Sequence, residues 1–334
     1  MEKTPFTTDG ATTMWTLSGV SLDAAGLIAL ADLTVIAQRT ALTGSASYLD
    51  ALFIAPGIHK HQAASDVNGG EYPATGALTT GYVFRVENQA TVSYLRSVGR
   101  PGHLVNVEVL PKPMNRTKTR YILRNIFTEE DISSYLYLMG PALTLFVVIC
   151  LLYNHDWWGV GVVAMLVLAR LLNVIVIKRR SVMMWKGEKE PGKRGDLLIL
   201  LSQDRWVRMR GAVDDLKAVT AGQWLRDETA IEGFLSAAAT LIVFTTAALS
   251  GNATTIGSLL LASLLLISAA LLGLCNSLAK RLQMFGRIVR ASGEPRAYKR
   301  RLDLAKELIQ ESGRDDWAIG LGMISVNRTT AAVM

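Results

Sequence analysis

The sequence predicts an α-helical integral membrane protein: four transmembrane helices plus a cytoplasmic α+β domain containing a β-hairpin. Three observations lead there. Four apolar runs, residues 133–153, 157–177, 230–249 and 255–275, each have about 20 residues, the length a helix needs to cross roughly 30 Å of hydrocarbon. Lys and Arg crowd the long connections and are absent from the two short ones, residues 154–156 and 250–254. The polar segments carry period-two alternation, the mark of half-buried strands.

The expected organisation follows the chain. Residues 1–127 form a cytoplasmic N-terminal region with β-strands, and 128–177 a first transmembrane hairpin. Residues 178–229 form a basic cytoplasmic loop with a β-hairpin, and 230–275 a second transmembrane hairpin. Residues 276–334 supply cytoplasmic amphipathic helices and a tail. The formal net charge is +7 over 334 residues. Its basic residues sit where anionic lipid headgroups would lie, and no aromatic-basic interleaving or nucleic-acid module accompanies them. The expected partners are therefore the lipid bilayer and its anionic headgroups, with a protein partner or a second copy of the chain, and not nucleic acid.

At the N-terminus no compact apolar core follows Met1, so a secretory signal is not expected. Residues 14–37 are apolar at Leu27, Ile28, Leu30, Leu33, Val35 and Ile36, but Asp23 and Asp32 interrupt them. An aspartate at a helix centre costs about 2.5–3.5 kcal/mol on insertion. A soluble or surface-lying helix is the expectation, with a fifth span as the alternative. Residues 44–81, rich in Gly, Ala, Ser and Thr, read as loops and short elements. Tyr82, Phe84 and Val86 then alternate with Val83 and Arg85, and Val105, Val107 and Val109 alternate with Asn106 and Glu108.

Thr128-Glu-Glu-Asp131 and Thr229-Ala-Ile-Glu232 are helix starts, with a hydroxyl cap and acids in the first turn. Pro141 lies inside the first span, where neighbouring spans can satisfy the freed carbonyl. Tyr135, Tyr137, Tyr153, Trp157 and Trp158 suit interface belts. In the basic loop, Asp196-Leu-Leu-Ile-Leu-Leu201 and Arg205-Trp-Val-Arg-Met-Arg210 flank Ser202-Gln203-Asp204 as a hairpin. Val207 and Met209 face one way, Trp206, Arg208 and Arg210 the other. A lone hairpin is marginal in water, so it should join the N-terminal strands. After the fourth span, Leu278, Leu282, Phe285 and Val289 form a helical stripe among Lys280, Arg281, Arg287 and Arg290, the pattern of a helix on an anionic surface. Leu302, Ala305, Leu308 and Ile309 mark a second amphipathic helix.

By the positive-inside rule both termini and the 178–229 loop are cytoplasmic. The short turns then face the exterior or a lumen, in the plasma membrane or an endomembrane. The sequon at Asn252 lies against the membrane, and those at Asn115 and Asn327 are cytoplasmic, so no glycan is expected. Cys150 and Cys275 fall near opposite bilayer faces, too far apart for a disulfide.

Motifs that carry chemistry are scarce, and no catalytic, cofactor-binding or metal residue is assigned. Arg170 lies about two helical turns inside the second span; it snorkels, bonds Asn173, or lines a transport path. His59 and His61, with Asp66 and Glu71 nearby, have metal-ligand chemistry but no ligand spacing, and a polar loop explains them. Asp214-Asp215 and Asp315-Asp316 read as solvated faces or helix starts. Gly159-Val-Gly161 and the pairs Gly233/Ala237, Ser258/Ala262 and Ala269/Gly273 suit close helix contact.

The stretch Gly195-Asp-Leu-Leu-Ile-Leu-Leu-Ser-Gln-Asp-Arg-Trp-Val-Arg-Met-Arg-Gly211, followed by Val213-Asp-Asp-Leu-Lys217, resembles a segment of multi-pass membrane proteins of filamentous fungi. The resemblance covers about a sixth of the chain, implies a membrane location, and brings no activity or functional residue with it. The expected function is a membrane-anchored interaction or regulatory protein; the alternatives are a transporter or channel subunit and a membrane-bound enzyme.

Overall fold

The computed structural model describes residues 25–112, 132–325 and 328–332. The helix start at 128–131 and the sequons at Asn115 and Asn327 lie outside the described residues. Four helices, Ile132–Tyr153, Trp157–Arg180, Ala230–Leu249 and Thr255–Leu278, coincide with the apolar runs. All four are long and apolar enough to cross a membrane. The third helix begins at a reciprocal cap, the Thr229 hydroxyl accepting from Glu232 N–H and the Glu232 carboxylate from Thr229 N–H. Their outward faces keep large apolar side chains exposed, among them Phe146, Ile149, Leu168, Phe244 and Leu266. A continuous apolar surface of this kind fits lipid or a partner rather than water.

A mixed sheet stands at the ends of these helices remote from the short turns. Its strands are β1 (Ala74–Ala77), β2 (Val83–Arg85), β3 (His103–Pro111), β4 (Arg194–Leu201), β5 (Arg205–Ala212), β6 (Arg281–Met284), β7 (Arg287–Ala291) and β8 (Arg296–Ala297). The order is β2-β1-β4-β5-β3-β7-β6, with β8 beside the start of β3. β9 (Ile324–Ser325) and β10 (Arg328–Ala332) pair separately. The β4–β5 hairpin is central: β4 lies antiparallel to β1, and β5 parallel to β3.

Alternation places Val207, Met209, Ile199 and Val107 on one face. They pack with Tyr94 and Leu95 of helix Gln89–Val98, with Trp224, and with Val174 and Ile177 of the second long helix. Trp206, Leu198 and Leu104 lie on the opposite face against Leu304 and Leu308 of helix Arg301–Ser312. Burying each such side chain contributes about 1.5–3 kcal/mol. The sheet core therefore runs directly into the helix bundle.

Two expectations are corrected. The stretch around Leu278, Leu282, Phe285 and Val289 is not an amphipathic surface helix. The fourth long helix ends at Leu278, and β6 and β7 follow as a hairpin turning at Phe285 and Gly286, both at positive φ (48° and 72°). Leu282, Met284 and Val289 fill the sheet core. The second helix, Arg301–Ser312, is present. Within residues 14–37 the described part is two short helices and no continuous span. Ala25–Ala29 packs against the third and fourth long helices, and Val35–Thr43 packs between the fourth long helix and the sheet domain with Ile36 2% exposed. Asp32, Leu33 and Thr34 between them are exposed.

Candidate functional site

The polar centre of the molecule lies where residues 25–62 enter the four-helix bundle. A short 3₁₀ turn, Tyr48–Leu52, starts at Ser47, whose N–H donates to Asp50 Oδ2 at 2.6 Å. Phe53, Ile54, Ala55 and Ile58 then run through the apolar interior. Phe53 stacks on Tyr137 with ring centroids 5.4 Å apart, and fits because Gly140 has no side chain to overlap it.

Backbone without regular hydrogen bonding is tolerated at such depth only where side chains satisfy it. Each of the four long helices contributes a donor. Thr144 Oγ1 donates to Leu52 O (2.7 Å), Arg170 Nε to Asp50 O (3.3 Å) and Asn173 Nδ2 to Ile58 O (2.7 Å). Thr240 Oγ1 donates to His59 O and Asn276 Nδ2 to Val35 O, at 2.7 and 2.8 Å. Arg170 neither snorkels nor bonds Asn173. It stays 5% exposed because its partner, the Asp50 backbone, is brought to it. The Asp50 carboxylate accepts from the Tyr137 hydroxyl, and the Arg39 guanidinium lies 4.9 Å over the Tyr137 ring.

Nearer the sheet, His61 Nδ1 meets Ser236 Oγ at 2.9 Å and His61 Nε2 lies 3.1 Å from Glu228. Arg180 donates to Gln62 O and Arg226 O. Glu232, 1% exposed, receives a bidentate Arg226. His59 points elsewhere, against Phe244. The two histidines do not converge, and among the described residues no group of three metal-ligand side chains forms. Glu71 instead caps the β4–β5 turn through Ser202 and meets Arg96. Asp214 and Asp215 open helix Val213–Thr220, where Asp215 binds Arg287. Asp315 and Asp316 open another short helix, Asp316 pairing with Arg314.

The void among Ile58, His61, Arg170, Asn173 and Ser236 holds about 10 Å³. That is about the minimum for one water. Chemically, this centre can fix an irregular segment inside apolar surroundings; it offers no room for a solute. Sequence reasoning misses Asp50, Thr144, Thr240 and Asn276, and it places in an interface belt Tyr137, which instead meets Asp50 and Phe53. Their common signal is a polar residue near the middle or end of an apolar run, but nothing in the sequence pairs them with residues 35–59. No protein-family model matches the chain, and neither curated proteins nor solved structures give a match.

Proposed function

We propose that the chain is a membrane-anchored interaction or regulatory protein, with the bundle as a closed mount in the bilayer and the sheet domain as the working part. The carrying observation is the interior of the bundle: the chain's own residues 48–62 run through it, and the void beside Arg170 and Asn173 holds only about 10 Å³. Charge supports an orientation with the sheet domain and both termini in the cytoplasm. Lys178, Arg179 and Arg180 end the second span on the sheet side, and neither short turn carries a cation. Anionic headgroups would meet those basic ends.

The transporter reading keeps one specific observation in its favour, an arginine and non-helical backbone held together at span depth. Reconstitution separates the two. Proteoliposomes with the purified chain should leak protons and monovalent ions no faster than protein-free vesicles. A flux that Arg170→Gln abolishes would overturn the closed-mount reading.

A further inference from the structure

A cavity of about 570 Å³ opens beside Gly102, Asp204, Trp206 and residues 298–302. Its size is that of a small-molecule site. Alternation along β5 puts Trp206 here, on the face opposite Val207 and the long helices. β8 pairs with the start of β3, and Tyr298 N–H donates to Gly102 O at 2.9 Å. The chain then turns at the rim into helix Arg301–Ser312. This turn delivers Lys299, Arg300 and Arg301 to one place.

The charges there do not balance. Asp204 is paired with Arg301, and Arg296 lies over Tyr298 and pairs with Glu307. Lys299 and Arg300 are exposed and have no partner among the described residues. The N-cap position is Arg300, no side chain caps this 12-residue helix, and its first turn carries one carboxylate, Asp303, which offsets part of its positive end. In the wall, Trp206 is 3% exposed and its indole N–H has no acceptor.

We infer that this cavity binds a small soluble molecule bearing two or more phosphate groups, held by Lys299, Arg300 and the start of helix Arg301–Ser312. The two unpaired cations, Lys299 and Arg300, match a dianion or a more highly charged anion, with the free N–H groups of the uncapped helix start as further donors; a single carboxylate leaves one cation uncompensated. Phosphate on a lipid headgroup shares the chemistry, but the cavity opens on the face turned away from the spans. The inference stands whether or not the bundle crosses a bilayer.

The test uses the full chain in detergent, with pyrophosphate as probe and calorimetry as readout. Lys299→Gln/Arg300→Gln should weaken binding by about tenfold or more, the loss of two charge-assisted contacts. Lys186→Gln/Lys189→Gln, an equal loss of charge elsewhere, should change it less than about twofold. Unchanged melting temperatures establish that both variants fold. A second arm repeats the titration in nanodiscs with and without phosphoinositide, where the affinity should not move. Equal weakening by both variants, or no binding at millimolar pyrophosphate, overturns the site. Competition by the lipid overturns its assignment to a soluble ligand.

Discussion

Asp156 holds Thr254: the carboxylate Oδ2 accepts from both the backbone N–H and the hydroxyl of Thr254, at 3.0 and 2.8 Å. Its other oxygen caps the second long helix at Gly159 N–H (2.9 Å). One buried carboxylate thus ties the two short turns together and fixes the pairing of both helical hairpins. The fourth helix comes this close because a Cβ at Gly257 would overlap the carboxylate.

Asp156→Ala should therefore destabilise the bundle by about 2 kcal/mol, combining a lost cap with unsatisfied donors on Thr254. Asp156→Asn should recover part of the loss, since an amide oxygen can still accept. Thermal unfolding in detergent, followed by helix circular dichroism, measures both. An alanine variant as stable as the parent would mean that the turns pack without the clamp.

On the sheet, Arg208 donates to Asp196 (2.8 Å) and to Glu311 (2.5 Å) while its side chain is only 9% exposed. Removing one partner of a buried pair strands the other charge. Asp196→Ala should cost about 3 kcal/mol and loosen helix Arg301–Ser312 from its face. Glu311→Ala, at a 45% exposed position, should cost less than about 1 kcal/mol. Denaturant titration of the two variants checks the order; a reversed order contradicts the network.

Tyr94 links helix Gln89–Val98 to the end of the fourth long helix. Its hydroxyl donates to Lys280 O (3.0 Å) and accepts from Ala291 N–H (3.1 Å), and burial pushes its pKa up to about 12. The folded state favours the neutral phenol, so this contribution is complete below pH 10, the unfolded value, and is lost as pH rises towards 12. Melting temperatures of the parent and Tyr94→Phe should converge over that window. Parallel curves would show that the phenol does not couple to folding.

Orientation has its own check. With Cys150 and Cys275 replaced by Ala, a single cysteine at Asn252 should react with an impermeant thiol reagent outside sealed native-orientation vesicles. Cysteines at Lys189 and Arg314 should react only after permeabilisation. Labelling of Lys189→Cys from outside would invert the assignment.

The long helices and the β4–β5 hairpin were legible because each carries its pattern over enough residues: about 20 apolar positions in each helix, and in the hairpin the apolar run Leu197–Leu201 followed by the alternation over residues 205–210. β6 and β7 were not. They contribute only two and one buried apolar residues, Leu282, Met284 and Val289, and the arginines between them satisfy a helical period equally well. The turn at Phe285-Gly286 has the glycine but lacks the Asn, Asp or Gly before it that announces a hairpin. Residues 44–62 were hidden differently. Gly and Ala there signal loop, yet the same small residues permit close packing, as at Gly57 against Leu33. Their burial depends on donors about 90–180 positions away, Thr144 and Thr240 among them. Local composition carries no trace of such pairings.

Residues 53–59 lie as irregular backbone inside the helix bundle. Amide hydrogen exchange of the full chain in nanodiscs tests this placement most directly. These amides should exchange as slowly as those of Val162, Leu166 and Ala239, deep in the surrounding helices. Exchange within seconds at residues 53–59, while those helices stay protected, would place the segment outside the bundle and contradict the account.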